Sequence, residues 1–198
     1  VAVSITDTHD VNILNVVITN FEQGILIDNS NNCKIYDNIM YLQGNSGVAL
    51  EGTNGANNLI YNNKIFANNI GINLTQSSSG NKVYANTLSN NAVGIKVTTS
   101  GNQIYWNIFS NNLIQVQTSS LYSNVWDKGY PDGGNYWSDY LGQDLNGDGI
   151  GDTPYFIDSS NQDNYPLMKP YGWTPMSGDV NIDGKVDPND LFALSLAY

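Results

Sequence analysis

Arginine is absent from this chain of 198 residues, and histidine and cysteine occur once each, as His9 and Cys33. Without arginine, and at a net charge of −11, the chain lacks the basic stripe that nucleic-acid binding requires. A lone cysteine excludes an internal disulfide and a thiolate metal cluster, and Cys33 reads as a small residue filling a slot in a ladder, near the Asn58, Asn81 and Asn102 positions of later turns. No apolar run is long enough to span a bilayer. Charge is sparse over residues 1–126, with six acids against four lysines, whereas residues 127–198 hold twelve acids and three lysines. The acidity is therefore local to the C-terminal third and points to cation binding there. The chain starts at Val1 with no signal peptide, as a mature or excised piece of a longer precursor would. Abundant Asn, Ser, Thr and Gly with little Lys is an extracellular or cell-surface composition.

What the sequence does have is a repeat. Asn58-Leu-Ile-Tyr-Asn-Asn63, Asn81-Lys-Val-Tyr-Ala-Asn86 and Asn102-Gln-Ile-Tyr-Trp-Asn107 are each followed by an apolar residue and an Asn-Asn pair. Gly24, Gly47, Gly71 and Gly94 open further apolar bursts. Counting upstream, Asn15, Asn38, Asn63, Asn86 and Asn107 are spaced 23, 25, 23 and 21 residues apart. Such a period marks a solenoid. Bursts such as Ile72-Asn73-Leu74 alternate with period two and are separated by Asn, Gly and Ser, so each is a short strand and each break a bend. The expected fold is all-β: a parallel β-helix whose triangular turns stack Ile35, Ile60, Val83 and Ile104 on one wall. Met40, Ile65, Leu88 and Phe109 would line another wall, and Asn38, Asn63, Asn86 and Asn107 would form a ladder. Turns are expected over 1–120, a loop-rich aromatic cap over 121–173, a linker at 174–178 and a separate unit at 179–198. Asn73-Leu-Thr75 is a glycosylation sequon, with Asn73 expected to point outward.

Two acidic loops suggest a metal. Asp179, Asn181, Asp183, Lys185 (through its carbonyl), Asp187 and Asp190 fall at calcium-loop positions 1, 3, 5, 7, 9 and 12, with Gly184 at the tight turn. Leu191, Leu194 and Tyr198 would share one face of the helix that follows. Asp144, Asn146, Asp148, Ile150 (carbonyl) and Asp152 repeat the spacing through position 9, with Asp158 or Asp139 as candidates for the missing acid. The expected cofactor is Ca2+ at both loops.

Residues 179–198 resemble one half of a type I dockerin, which implies calcium and a cohesin-like partner. The turn consensus, followed in order by Gly134-Asn-Tyr-Trp-Ser-Asp-Tyr140, the Asp144–Asp152 loop, Thr153-Pro-Tyr155 and Asp163-Asn-Tyr-Pro-Leu-Met168, resembles the NosD-like right-handed parallel β-helix family. That resemblance covers about residues 10–170 and implies a surface or secreted protein of archaeal type. The family takes its name from a copper-maturation protein. One His, one Cys and three scattered Met do not form the clustered soft or imidazole set that copper needs.

Parallel β-helices also house polysaccharide lyases and hydrolases. Lyases of this architecture need a basic proton abstractor, but arginine is absent and Lys34, Lys64, Lys82 and Lys96 lie in unlike surroundings. For a hydrolase the candidate dyad is Asp28 with Glu51, at equivalent positions on adjacent turns, and surface acids in a bend explain the pair as well. The reading is therefore non-enzymatic: an extracellular structural or scaffold protein, self-associating through its ends or anchored to another surface protein. Val1, Val3 and Ile5 form an uncapped first strand that would support head-to-tail contact. The alternative is a carbohydrate-binding module or a non-catalytic part of a polysaccharide-processing enzyme, which a row of exposed aromatics along one wall would favour.

Overall fold

The structure, a computed structural model, describes residues 1–53, 55–75 and 79–172. These form a β-solenoid of about five turns, with no helix among them. The first turn holds β1 (Val3–Thr6), β2 (Asn12–Leu14) and β3 (Val17–Thr19). β4 (Gln23–Asp28), β5 (Lys34–Tyr36) and β6 (Ile39–Tyr41) make the second. β7 (Ser46–Glu51), β8 (Leu59–Tyr61) and β9 (Lys64–Phe66) follow, then β10 (Ile70–Leu74), β11 (Lys82–Tyr84) and β12 (Thr87–Ser89). β13 (Val93–Val97), β14 (Gln103–Tyr105) and β15 (Ile108–Ser110) complete the stack, and β16 (Ile114–Gln117) and β17 (Tyr136–Trp137) extend it. A short antiparallel hairpin, β18 (Tyr155–Asp158) and β19 (Asn161–Asp163), lies beyond.

Stacking every third strand makes three parallel walls: β1-β4-β7-β10-β13-β16, β2-β5-β8-β11-β14 and β3-β6-β9-β12-β15-β17. Period-two alternation turns one residue of each short strand inward, and register aligns those residues in columns. Ile25, Val48, Ile72 and Ile95 stack on the first wall, and Ile35, Ile60, Val83 and Ile104 on the second. Met40, Ile65, Leu88, Phe109 and Trp137 stack on the third. All of these side chains are buried, and each contributes roughly 1.5–3 kcal/mol to folding. The two columns expected from the repeat are those found.

Buried amides bind the corners in three ladders. In the second-to-third-wall corner, the backbone N–H of Asn38 donates to Asn63 Oδ1 (3.1 Å), that of Asn63 to Asn86 (3.0 Å), and that of Asn86 to Asn107 (3.1 Å). Each Nδ2 then serves a carbonyl one turn back, as Asn63 serves Ile35 at 2.8 Å. The first-to-second-wall corner runs Cys33, Asn58, Asn81, Asn102, Asn124 by the same contact. The third runs Phe21, Gln43, Asn68, Asn91, Asn112. Cys33 occupies an amide slot, and its Sγ donates to the Asn31 carbonyl (3.4 Å) much as Asn63 Nδ2 donates to the Tyr61 carbonyl. Backbone groups that a bend would leave unpaired are thereby satisfied.

Asn15 is not a ladder residue. Val16 takes that slot, donating its N–H to Asn38 Oδ1 (3.1 Å), while Asn15 sits at the bend with φ 55°. A glycine column runs up the first wall for a different reason. A Cβ at Gly24 would meet the Gly47 carbonyl oxygen, and one at Gly71 the Gly94 carbonyl oxygen. The column ends at Gln115, whose Nε2 reaches across to Ser138 Oγ (3.2 Å) and Asp139 Oδ1 (3.3 Å).

Candidate functional site

The C-terminal end of the solenoid is closed by β19. Asn161 Oδ1 accepts the Asn124 N–H (3.1 Å) and the Trp126 Nε1–H (3.0 Å), ending the ladder of the first-to-second-wall corner. Asp163 ends the ladder of the second-to-third-wall corner, in which Asn135 follows Asn107: its Oδ2 accepts the Asn135 N–H (2.7 Å) and the Trp137 Nε1–H (2.9 Å), and its Oδ1 the Tyr165 N–H (3.1 Å). Burial raises the Asp163 carboxyl to about 6, against the opposing pull of these donors. A Cβ at Gly134 would meet both carboxylate oxygens, so this position has no room for a side chain. Tyr155 stacks on Trp137 (4.2 Å), which stacks on Phe109 (4.4 Å), carrying the third-wall column into the cap. Burial, then the neighbouring Asp139, holds the Tyr155 phenol well above its ordinary range. Neither Asn161 nor Asp163 was identified from the repeat. The signal available was the order of cap motifs, in which Asp163 opens the last.

The second wall carries a row of aromatic rings on its outer face. Tyr36, Tyr61, Tyr84 and Tyr105 stack at 4.9, 4.9 and 5.4 Å with their planes within 7° of parallel. Trp106 meets Tyr105 edge-on and stacks on Tyr171 (4.1 Å), and Lys128 Nζ lies 4.5 Å above the Trp106 ring. Because the tyrosines cover one another's faces, the row presents edges and hydroxyls. Burial raises Tyr61, Tyr84 and Tyr105, and neighbouring phenols add to it, so these hydroxyls remain proton donors. Exposed Lys34 and Lys82 stand on the same strands.

The candidate acids form a pair and no larger group among the described residues. Asp28 and Glu51 are neighbours in register, as expected, but Glu51 Oε1 accepts from Gln23 Nε2 (3.1 Å) and no base faces them among the described contacts. Asn73 turns out of the core between Ala49 and Lys96, yet it is only 9 % exposed, so it presents little of its amide as a glycosylation acceptor.

The Asp144–Asp152 loop closes on itself. Asp144 accepts the N–H groups of Gly147 (2.7 Å), Asp148 (3.2 Å) and Gly149 (2.8 Å). Asn146 Nδ2 donates to Asp148 (3.0 Å), Asp148 accepts the Ile150 N–H (2.9 Å), and Asp152 accepts the Leu145 N–H (2.7 Å). Asp158 and Asp139 are engaged elsewhere, with Asn161 and Tyr155. Asp179, Asn181, Asp183, Lys185, Asp187 and Asp190, and the dockerin-like segment that holds them, lie outside the described residues.

A family model described as "Periplasmic copper-binding protein (NosD)" matches residues 1–142. The "Probable ABC transporter binding protein NosD" of Stutzerimonas stutzeri is 34% identical over 114 residues, which are 58% of this chain and 21% of that protein. The match thus spans about a fifth of the relative's length. No solved structure matches the chain. The expectation of Ca2+ is corrected by the family's description, which points to copper instead. Sequence spacing misled here because Asp, Asn and Gly at alternate positions also build a self-bonded turn, as residues 144–152 do. No group of three or more His, Cys, Asp or Glu forms a metal site among the described residues. The family match ends before the dockerin-like segment, and neither match supports an archaeal type.

Proposed function

The chain belongs to the NosD family, and from that premise we propose that it is a non-catalytic binding scaffold acting outside the cytoplasm. The family's own description is periplasmic, and among the described residues no helix is long and apolar enough to cross a membrane. One observation carries the reading: the buried polar groups tie turn to turn, while among the described residues no three acids, histidines or cysteines gather. Three amide ladders hold the walls in fixed register, which suits presentation of a surface rather than an assembled acid–base set. Incubation with uronic-acid and neutral glycans should release no unsaturated or reducing ends. Turnover that Glu51→Gln abolishes would sink the reading.

A second reading is favoured by the tyrosine row, since the second wall would offer a linear glycan a line of phenol hydroxyls at the turn repeat. Contact would run through hydroxyls and ring edges, because the inner faces are occupied by neighbouring rings. Affinity electrophoresis in polysaccharide gels tests it. Retardation lost in Tyr61→Ala and Tyr84→Ala, both still folded, supports the glycan reading; equal mobility in every gel refutes it.

A further inference from the structure

We infer that the described residues of this chain, though it belongs to a family described as copper-binding, hold no Cu(I) site and offer Cu(II) a single imidazole, that of His9. Cu(I) is held by converging thiolate and thioether ligands, and Cu(II) by several imidazole or carboxylate donors. The chain's soft donors are Cys33, Met40, Met168 and Met176, of which Met176 lies outside the described residues. Cys33 is fully buried in an amide slot, with Asn58 in the next turn and its thiol engaged by the Asn31 carbonyl. Met40 is fully buried in the third-wall column between Ile18 and Ile65. Neither has a second soft ligand next to it in its own stack, and Met168, partly buried beside Gly149 in the cap, belongs to no wall column. Both serve packing, and reaching either would require opening the core.

His9 differs. Its side chain is 74% exposed, and Nδ1 lies 2.7 Å from Asp10 Oδ2. With Nδ1–H donating to that carboxylate, Nε2 keeps its lone pair and faces outward, the arrangement common in metal-binding histidines. One imidazole supplies one bond, and among the described residues no third His, Cys, Asp or Glu completes a site there. The resemblance to the family is thus carried by the stacked turns, not by a set of copper ligands.

The test uses the whole chain after treatment with a chelator. Cu(I) is offered in competition with a chromogenic chelator, and Cu(II) is followed by electron paramagnetic resonance. The expected result is no Cu(I) transfer to the folded chain, together with a weak Cu(II) signal showing one coordinated nitrogen. His9→Gln should weaken that signal by about tenfold or more. Because His9 is exposed, the variant should keep the parent melting temperature. Stoichiometric Cu(I) retention overturns the inference, and so does Cu(II) binding that is absent altogether or indifferent to His9→Gln. None of these outcomes touches the scaffold reading, which is tested by glycan turnover.

Discussion

Asp163 places a carboxylate where every other rung of its ladder has an amide or apolar residue, and this should make the cap sensitive to pH. The carboxyl is raised from 3.8 to about 6, chiefly by burial. A group whose folded pKa lies above its unfolded value favours the folded state when protonated. Its contribution is therefore complete below about 3.8 and is lost as pH rises through about 6. The interval of roughly 2 pH units corresponds to about 3 kcal/mol. The useful quantity is the stability of the parent minus that of Asp163→Asn, because other carboxylates then cancel. Urea unfolding, read by fluorescence of the buried Trp126 and Trp137, gives that difference at each pH. It should fall by about 2.4 kcal/mol between pH 4 and pH 7, with a slope near 1.2 kcal/mol per unit at its steepest. A flat difference would refute the reasoning. A difference that grows with pH would show that the three N–H donors outweigh burial and hold the carboxyl low instead.

The ladders and the glycine column lead to further expected outcomes. Asn86→Ala removes the acceptor for the Asn63 N–H and the donor to the Ile60 carbonyl, both buried, and should cost about 3–5 kcal/mol in urea unfolding. Asn38→Ala, at the ladder's first rung, should cost clearly less, because the Val16 N–H it serves is only partly buried. Cys33→Asn should be tolerated and should stabilise by up to about 1 kcal/mol, since the slot already has amide geometry. In the parent chain a thiol reagent should label Cys33 only as fast as the protein unfolds. Gly71→Ala should lower stability by about 1–3 kcal/mol through pressure on the Gly94 carbonyl, visible as a reduced melting temperature.

The periodic part of the molecule was legible because one residue recurs on the same face every turn. Ile35, Ile60, Val83 and Ile104 could be aligned from spacing alone. Asn15 shows where that method slips. Both the ladder slot and the left-handed bend beside it accept asparagine, so counting asparagines cannot separate a residue that satisfies the backbone from one that merely tolerates positive φ. Asn161 and Asp163 were hidden for another reason: they reach the ladders from an antiparallel hairpin that does not share the period. The loop at 144–152 was legible as a pattern but ambiguous in chemistry, since the oxygens that would surround a cation serve equally well as acceptors for the loop's own amides.

Each ladder amide makes its contacts with the turns immediately before and after it, and all point the same way along the axis. A whole turn could therefore be copied or deleted from the middle of the stack without changing the bonding of those that remain, at about 4.8 Å of length per turn. Cross-section and length are then separate inheritances. The first is constrained by packing across the three walls, while the second can drift by duplication, so relatives of this protein can differ several-fold in reach while offering a partner the same surface.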